Sequence, residues 1–253
     1  MINYQEAEVA ELRTLFGATT VPWAGHSFDS HEAGWAALSG ADQPDYNLAL
    51  VHGDNADRHV QSTIDTIDAS GRPAIVMLAG RGLAGGQILA DAGWVCIGAM
   101  PFMARENPGG LLDPDIRELT ETDLGRAREL AGAAFGVGSL AAGRLFTPEL
   151  LDHPDTTIAG LFVEDELVCC GLMCRAPGAS TGWALATAAR HRGSGYARRL
   201  ISGNLEIDFA RRGPSTNLCL ATPRGRRLYE DIGFQTVEYW QTWSKPRWFL
   251  GVG

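Results

Sequence analysis

The sequence has no apolar run of the roughly eighteen residues that a membrane-spanning helix requires. Its first six residues also lack the basic and apolar regions of a secretory signal peptide. We therefore expect a cytoplasmic protein with no membrane partner.

Cysteine is scarce, with five residues in a chain of 253. The number is odd, and no second Cys or His pair stands at zinc-finger spacing from Cys170 and Cys174. This pattern favours reduced core residues over disulfides or a metal site. The five are Cys96, Cys169, Cys170, Cys174 and Cys219, and we expect no structural metal.

Positive charge is also low, since 21 Lys and Arg residues face 30 Asp and Glu residues and the net charge is −9. A nucleic-acid-binding surface needs a basic face, so this balance argues against a nucleic-acid partner. The 45% hydrophobic and 20% charged residues are ordinary for a globular protein of one or two domains.

The most informative feature that is present is a glycine-containing segment, Arg-Gly-Ser-Gly-Tyr-Ala, at residues 192–197. An apolar run at residues 183–188, which predicts a buried strand, precedes it. Apolar residues at helical spacing follow it: Ala197, Leu200, Ile201, Leu205 and Phe209. Glycine allows close approach to an anion, and the first N–H groups of a helix attract phosphate. The segment predicts either a phosphate-binding turn or a tight connection that merely needs positive φ at Gly193 or Gly195.

Much of the positive charge lies near this segment and near a second, later helix. The arginines concerned are Arg190, Arg192, Arg198, Arg199, Arg224, Arg226 and Arg227. They either attract an anionic cofactor or form ordinary solvated helix faces. We favour cofactor binding for Arg192, because its place in the segment is fixed.

A second motif, Leu-Tyr-Glu-Asp-Ile-Gly-Phe at residues 228–234, lies about thirty residues downstream. It follows a strand-like run at 218–221, falls within a helix predicted over 222–232, and precedes a β-prone run that reaches Trp243. In order and spacing the two motifs resemble the GNAT superfamily of acyl-CoA-dependent N-acetyltransferases. The resemblance covers residues 113 to 253, because residues 116–124 are similar to the opening strand and first helix of that family.

This resemblance implies a mixed α/β sheet flanked by helices, with acetyl-CoA as cosubstrate. It assigns the pantetheine arm to the backbone of Leu185, Ala186, Thr187 and Ala188. It assigns the pyrophosphate to the amides of Arg192, Gly193, Ser194, Gly195, Tyr196 and Ala197. Tyr229 takes the place of the proton donor to the leaving thiolate, with half-buried packing beside Phe234 as its alternative role.

Two positions depart from the family pattern. Ala189 replaces a frequent proline, and Thr222 replaces a frequent asparagine whose amide could contact the cofactor. The threonine hydroxyl can still donate one hydrogen bond, so Thr222 stays among the candidate cofactor-binding residues.

The general base is not identified by the sequence. Residues 183–188 contain no carboxylate or histidine, although the family often has a glutamate on or near the central strands. Glu164, Asp165 and Glu166 fall in a predicted hairpin turn, and His153 falls in a loop next to a proline. We favour water or a backbone carbonyl over these four.

The first half of the chain looks like a degenerate copy of the second. Leu89 to Trp94 precedes Tyr229 to Phe234 by a constant 140 residues (229 − 89), and each Gly-aromatic corner leads into a strand-like run. The segment 107–110, Asn-Pro-Gly-Gly, separates the halves. We predict a degenerate GNAT-like module at 1–112 and a catalytic GNAT domain at 113–253, with chance similarity of the corners as the alternative.

The first module lacks the residues that would bind the pyrophosphate and protonate the thiolate. Asp54 and Asp57 follow its central strand where a pyrophosphate needs neutral or basic groups, and Leu89 replaces the tyrosine. We expect it to bind no cofactor and to have a structural role, with Trp23, His26 and Phe28 as weak candidates for a wall of the acceptor pocket.

We therefore expect a small-molecule N-acetyltransferase, monomeric or homodimeric, whose acidic balance favours a cationic amine acceptor. A protein N-terminal or lysine acetyltransferase and a non-catalytic acyl-CoA-binding module are the alternatives.

Overall fold

The structure is a computed structural model that describes residues 4–106, 109–110 and 112–248, without the side chains of residues 26, 139 and 140. The chain forms two compact units. Unit 1 contains Met1–Met103, Leu220–Arg226 and Gln235–Gly253, and unit 2 contains Ala104–Cys219 and Arg227–Phe234. The division at 112 and 113 stays a prediction, and the last strand of the chain groups with unit 1.

Unit 1 has a mixed sheet with strand order β1-β2-β3-β4-β11-β5. Its strands are β1 Phe28–His31, β2 Gly34–Leu38, β3 Asn47–Val51, β4 Ile75–Leu78, β5 Val95–Glu106 and β11 Gln235–Ser244, with the last three residues of β5 in unit 2. Its helices are α1 Glu6–Ala18, α2 Val21–Ala24, α3 Ala56–Ser70 and α4 Gly86–Asp91, with 3-10 turns at Gly25–Ser27, Pro44–Tyr46, Gly80–Gly85 and Pro246–Trp248. The β3 and β4 strands are parallel, and β11 is antiparallel to β4.

The core of unit 1 follows from the apolar spacing of α3. Val60, Ile64 and Ile67 recur every three or four residues, so they share one helix face. That face is buried against residues of β3, β4 and α4 and against Trp94. The periodicity thus predicts both the helix and the face that it buries.

Unit 2 has a mixed sheet with strand order β10-β9-β8-β7-β6. Its strands are β6 Ile116–Glu118, β7 Thr156–Val163, β8 Glu166–Ala176, β9 Ala179–Thr187 and β10 Thr216–Leu220. Its helices are α5 Leu124–Phe135, α6 Ser139–Ala142, α7 Pro148–Asp152, α8 Tyr196–Arg212 and α9 Arg226–Asp231, with 3-10 turns at Glu121–Asp123, Gly143–Leu145 and Ala189–His191; Leu220 and Arg226 group with unit 1. The β10 strand is parallel to β9, and the remaining neighbours are antiparallel.

The two Gly-aromatic corners have the same backbone geometry. Gly93 (φ 77°) donates to the Ala90 carbonyl at 3.0 Å, and Gly233 (φ 95°) donates to the Glu230 carbonyl at 3.0 Å. The aromatic N–H that follows each glycine, from Trp94 or Phe234, returns to the carbonyl five residues earlier at 2.9 and 3.0 Å. This is a helix C-cap with glycine in the left-handed region. The corners therefore agree in hydrogen bonding as well as in spacing.

Three sequence expectations require correction. The strand expected as buried at 183–188 runs over Ala179–Thr187, and only Ala186 is buried beyond residue 182. The helix expected over 222–232 is limited to Arg226–Asp231, because Thr222 accepts from the N–H groups of Gly225 and Arg226 in a turn. Cys96 is exposed on β5, whereas the other four cysteines are buried.

Candidate cofactor site on strand β9 and the glycine turn

Strand β9 has an open edge in its second half. Its ladder with β10 pairs residues 179–181 with residues 216–218 and ends at Thr181 and Leu218. Its ladder with β8 continues to Thr187, opposite Cys169. From Gly182 to Thr187, β9 is therefore paired with β8 and not with β10. The exposure of this segment, where Trp183, Ala184 and Leu185 are only half-buried, agrees with a slot between the two strands.

A β-bulge lies in the middle of this open segment. Leu172 pairs with Trp183 and Cys170 pairs with Ala186, so Ala184 and Leu185 together face Gly171. Ala184 has φ of 50°, an uncommon value for a residue with a side chain. Gly171 lies opposite the bulge, where a Cβ would stand 3.6 Å from the Trp183 carbonyl oxygen, an ordinary contact. The bulge re-aims the backbone of β9 at the point where the slot opens.

The glycine turn joins the end of β9 to α8 as the sequence predicts. Gly193 and Gly195 have φ of 81° and 82°, and a Cβ on either would meet no atom within 4 Å. Gly195 is the N-cap of α8, a helix of 17 residues. Within the described part of the chain, the backbone N–H groups of residues 193–198 have no backbone acceptor, and the first such bond runs from Arg199 to Gly195 at 3.1 Å. The turn therefore presents free amides to open space at a positive helix end.

Most of the arginines around the turn already form hydrogen bonds or ion pairs with carbonyls and carboxylates of the protein. Arg192 donates to the carbonyls of Thr187 at 3.2 Å and Ala134 at 3.5 Å. Arg198 donates to the Asp231 carbonyl at 2.9 Å. Arg199 pairs with Asp113 at 2.7 Å and Asp115 at 2.6 Å, and these contacts raise its pKa. Arg190 pairs with Glu166. The backbone amides, more than these side chains, are therefore the groups available to an anion.

Tyr229 lies on α9 against the same apolar cluster as the open strand. Met173, Ile201 and Leu205 form the cluster, and Leu185 and Tyr229 both pack on it. The Tyr229 ring also meets Phe234 edge-on, with centroids 5.4 Å apart. Its hydroxyl has no hydrogen-bond partner among the described residues. Burial, followed by the nearby Cys219 thiol, raises the pKa of Tyr229 above its ordinary value, so the hydroxyl stays protonated at neutral pH.

The carboxylates of residues 164–166, which were candidates for the general base, lie beyond the C-terminal end of β9 and not at the bulge. They line a cavity of about 580 Å³ together with Ala188 and Arg192, beyond the C-terminal end of β9. Arg190 lowers the pKa of Glu166, which weakens it as a base. His153 uses its Nδ1 to accept from the Asp155 N–H at 3.1 Å. None of the four is brought to the bulge at Ala184 by these contacts.

Thr222 and the three weak acceptor candidates group with unit 1. The Thr222 hydroxyl accepts from the Gly225 N–H at 3.1 Å. Trp23 lies on α2 and Phe28 begins β1, while the side chain of His26 is outside the described residues.

The corresponding region of unit 1 is closed. There the parallel ladder continues from Leu48–Ile75 to Val51–Leu78, the last residues of both strands. The segment after β4 then covers the end of β3, where Ala79 donates to the Val51 carbonyl at 3.1 Å and a Cβ on Gly82 would stand 2.1 Å from the same oxygen. Asp54 adds negative charge before α3 and pairs with Arg81 at 2.6 Å. Unit 1 thus has neither a slot nor free space at this position.

Other sites are not evident in the described residues. No group of three or more His, Cys, Asp or Glu side chains among them could hold a metal ion. Burial raises the pKa of Cys169 to about 11 and that of Cys170, Cys174 and Cys219 further. None of the helices described is both long and apolar enough to cross a membrane.

Several solved structures share this architecture over nearly the whole chain. A GCN5-related N-acetyltransferase from Kribbella flavida aligns over 90% of this chain and 95% of its own, with a TM-score of 0.65 and 15% identity. A second one, from Sphaerobacter thermophilus, aligns over 96% of this chain and 94% of its own, with a TM-score of 0.56 and 14% identity. The chain has the GNAT fold.

The fold likeness extends over both units, since these alignments cover nine-tenths of the chain or more. A functionally unknown conserved protein from Staphylococcus epidermidis also aligns, over 85% of this chain and 91% of its own, with a TM-score of 0.61 and 8% identity. No family model and no curated protein matches the sequence. At these identities the likeness shows the GNAT fold, and activity has to be argued from the site.

The glycine turn lies where the sequence predicts it, and the role of Tyr229 stays a prediction, but the sequence analysis did not predict the bulge. Its only visible signal is Gly171 on β8, an apolar strand without another glycine. Glycine inside a strand often marks a bulge or a close backbone approach.

Proposed function

We propose that this chain is an acetyl-CoA-dependent N-acetyltransferase that acts on the amine of a small molecule. One observation carries the proposal: β9 loses β10 after Thr181 but continues to a turn with free amides at the start of α8. An extended ligand with an anionic end fits such an arrangement. Its chain can pair with the open backbone of β9, and its phosphates can accept from the turn.

The backbone groups of Leu185, Ala186 and Thr187 are the proposed partners of the pantetheine arm. Ala188 is not among them, because its N–H donates to the Val168 carbonyl at 2.9 Å and its carbonyl accepts from the His191 N–H at 2.8 Å. The amides from Gly193 to Ala197 are the proposed partners of the pyrophosphate. The Arg192 amide, expected among them from the sequence, is excluded because it donates to the Ala189 carbonyl at 3.3 Å. Arg192 supports both segments indirectly, because it binds the Thr187 carbonyl from within the turn. Thr222 groups with unit 1, so its part in cofactor binding stays a prediction from the sequence.

In the proposed reaction, the neutral amine attacks the thioester carbonyl and forms a C–N bond. A tetrahedral oxyanion results, and its collapse breaks the C–S bond and releases the CoA thiolate. Backbone N–H groups at the bulge can stabilise the oxyanion, since they are fixed donors that need no reorganisation. The amine loses one proton, and the CoA thiolate takes one from solvent after a hydrogen bond from Tyr229 has stabilised it.

Tyr229 is the proposed donor to the thiolate. A thiol has a pKa of about 8.5, well below that of this tyrosine, so complete proton transfer is unfavourable. A hydrogen bond from the hydroxyl to the developing thiolate still stabilises the transition state. Water or a backbone carbonyl stays our proposed route for the proton of the amine.

The acceptor is proposed to be cationic before it loses its proton, because the net charge of −9 favours approach of a cation. A cytoplasmic location belongs to the same proposal. The second candidate function, an acyl-CoA-binding module without activity, is favoured by the lack of any carboxylate or histidine in residues 183–188.

The binding part is tested by Gly195→Glu. No atom lies within 4 Å of a Cβ at this position, so the change disturbs the ligand-free fold only through its left-handed backbone, which costs about 1–2 kcal/mol. The new carboxylate lies where the pyrophosphate is proposed to bind, so calorimetry with CoA should show no binding. Unchanged CoA affinity would contradict the proposed site.

Gly71→Glu is the matched control. Gly71 has φ of 65° and ψ of 11°, also with no atom within 4 Å of a Cβ, but it caps α3 in unit 1. It should lose a similar amount of stability and keep wild-type CoA affinity.

The catalytic part is tested by release of free thiol from acetyl-CoA with a panel of polyamines, aminoglycosides, amino-acid amines and peptide amines. Turnover with a small cationic amine is the expected result. Turnover with peptides alone supports protein acetylation, and CoA binding without turnover on any amine supports the binding module.

A further inference from the structure

A buried polar network lies at the point where β9 and β10 separate. Asp208 of α8 accepts from the Arg175 guanidinium of β8, from the Ser180 hydroxyl of β9 at 3.0 Å and from the Ser215 hydroxyl at 3.3 Å. Ser180 in turn accepts from the Asn217 amide of β10. Ser180 is fully buried, and Arg175, Asp208 and Asn217 are nearly so.

The position of the Ser180–Asn217 bond in the ladder is informative. These two residues form the second of the three β9–β10 pairs, one step before the last pair at Thr181 and Leu218. The network therefore joins the two strands by side chains immediately before the slot opens. A main-chain ladder can otherwise lengthen or fray by a residue, which would shorten or deepen the slot.

The network also includes the helix that carries the glycine turn. Asp208 lies twelve residues after Tyr196 on α8, so about 18 Å of helix separates it from the helix start. The base of the slot and the turn are thus connected through one rigid element. A ligand held at both places needs this spacing to be constant.

The network is not expected to add much to the free energy of unfolding. The Arg175 Nη2 and Asn217 Oδ1 atoms are buried without a hydrogen-bond partner in the described structure. Buried ion pairs commonly gain little over apolar packing, and buried unsatisfied groups carry a cost.

From these observations we infer that Ser180, with Asn217 and Asp208, is a positioning residue that fixes where β9 and β10 separate, and so sets the depth of the acyl-CoA slot. This inference rests on the proposed function. None of the three is proposed to touch the reacting atoms. Their loss should weaken cofactor binding more than it slows chemistry at saturation.

The test compares Ser180→Ala with Ser215→Ala. Both changes remove a serine hydroxyl from Asp208, but only Ser180 links β9 to β10. Ser180→Ala should raise the CoA Kd and the acetyl-CoA KM about tenfold or more, the loss typical of a buried hydrogen bond to a charged group. Saturated kcat should change by less than about threefold, and Ser215→Ala should stay within about twofold of wild type in all three quantities.

Asn217→Ala provides a second variant in case Ser180→Ala does not fold, because alanine removes the amide that donates to Ser180 from β10. It should give the same split between KM and kcat. If Ser180→Ala and Asn217→Ala are folded and bind CoA as Ser215→Ala does, the inference is wrong.

Hydrogen exchange without any ligand separates this inference from the proposed function. The amides of residues 217–219 should exchange faster in Ser180→Ala than in Ser215→Ala. This result holds even if the wild-type protein does not bind CoA, an outcome that would overturn the proposed function. Equal exchange in the two variants overturns the inference whatever the protein binds.

Discussion

Replacement of Tyr229 by phenylalanine separates its proposed chemistry from its packing. The ring packs on the cluster of Met173, Ile201 and Leu205 and against Phe234, and phenylalanine keeps these contacts. The hydroxyl has no partner among the described residues, so its removal leaves no protein group unsatisfied. The melting temperature should therefore change little.

The expected kinetic effect is set by two opposing factors. General acid catalysis is typically worth about a hundred- to ten-thousand-fold. Burial raises the pKa of Tyr229, and a thiolate is a fair leaving group, so the effect belongs at the low end. We expect kcat to fall about a hundredfold, with CoA affinity within about twofold of wild type.

The assay is thiol release under saturating acetyl-CoA and acceptor, with a pre-steady-state burst to show that chemistry limits the rate. Tyr239→Phe is the matched control, because it removes the exposed hydroxyl that accepts from Arg226 at 2.7 Å in unit 1. If Tyr229→Phe stays within about threefold of wild type while chemistry is rate-limiting, Tyr229 is a packing residue and does not stabilise the thiolate.

Three further predictions concern the two units and their pH dependence. A fragment that begins at residue 113 leaves β11 without its β4 partner, so it should aggregate or bind CoA without turnover. A soluble, fully active fragment would show that the first half is dispensable. Burial and then Arg13 lower the pKa of His52 to about 4, so its contribution to the free energy of unfolding, roughly 3 kcal/mol, is present above pH 6.5 and lost as pH falls toward 4. His52→Gln should flatten the dependence of the melting temperature on pH in this window, and an unchanged slope would refute the assignment. Arg117 lowers the pKa of Asp123, whose carboxylate also accepts from the Thr120 N–H. In urea titrations, Asp123→Asn should therefore lower the free energy of unfolding by about 1 kcal/mol above pH 4 and by progressively less below pH 4, whereas an equal loss at pH 2 would contradict this ion pair.

The elements with strong local signals were predictable from the sequence. The apolar spacing of Val60, Ile64 and Ile67 identified α3, and the glycine pair at 193 and 195 located the start of α8. Both signals depend on neighbouring residues along the chain. Local propensity and backbone geometry therefore agree there.

The features that the sequence did not reveal depend on pairing between distant segments. The point at which β9 leaves β10 is a property of two strands, and the strand-like pattern of residues 183–187 is the same whether or not a partner is present. The grouping of β11 with unit 1 likewise follows from its ladder with β4, which lies more than 150 residues earlier. Cys96 has an apolar context like the buried cysteines, and only the sheet determines that it is exposed.

In the candidate site, too, features set by neighbouring residues could be predicted and features set by distant residues could not. The position of the turn was predictable because it lies in a contiguous motif. The roles of Arg192 and Arg199 as partners of carbonyls and carboxylates were not, since Ala134, Asp113 and Asp115 lie far from them in sequence.

We propose one acyl-CoA site per chain, on the open edge of β9 and the glycine turn. Hydrogen exchange of the full chain with and without saturating CoA reports which amides the ligand covers. Exchange should slow at residues 182–199 and stay unchanged at residues 52–57 of unit 1. Bound CoA that protects residues 52–57, or that leaves residues 182–199 unprotected, would show that the proposed site is wrong.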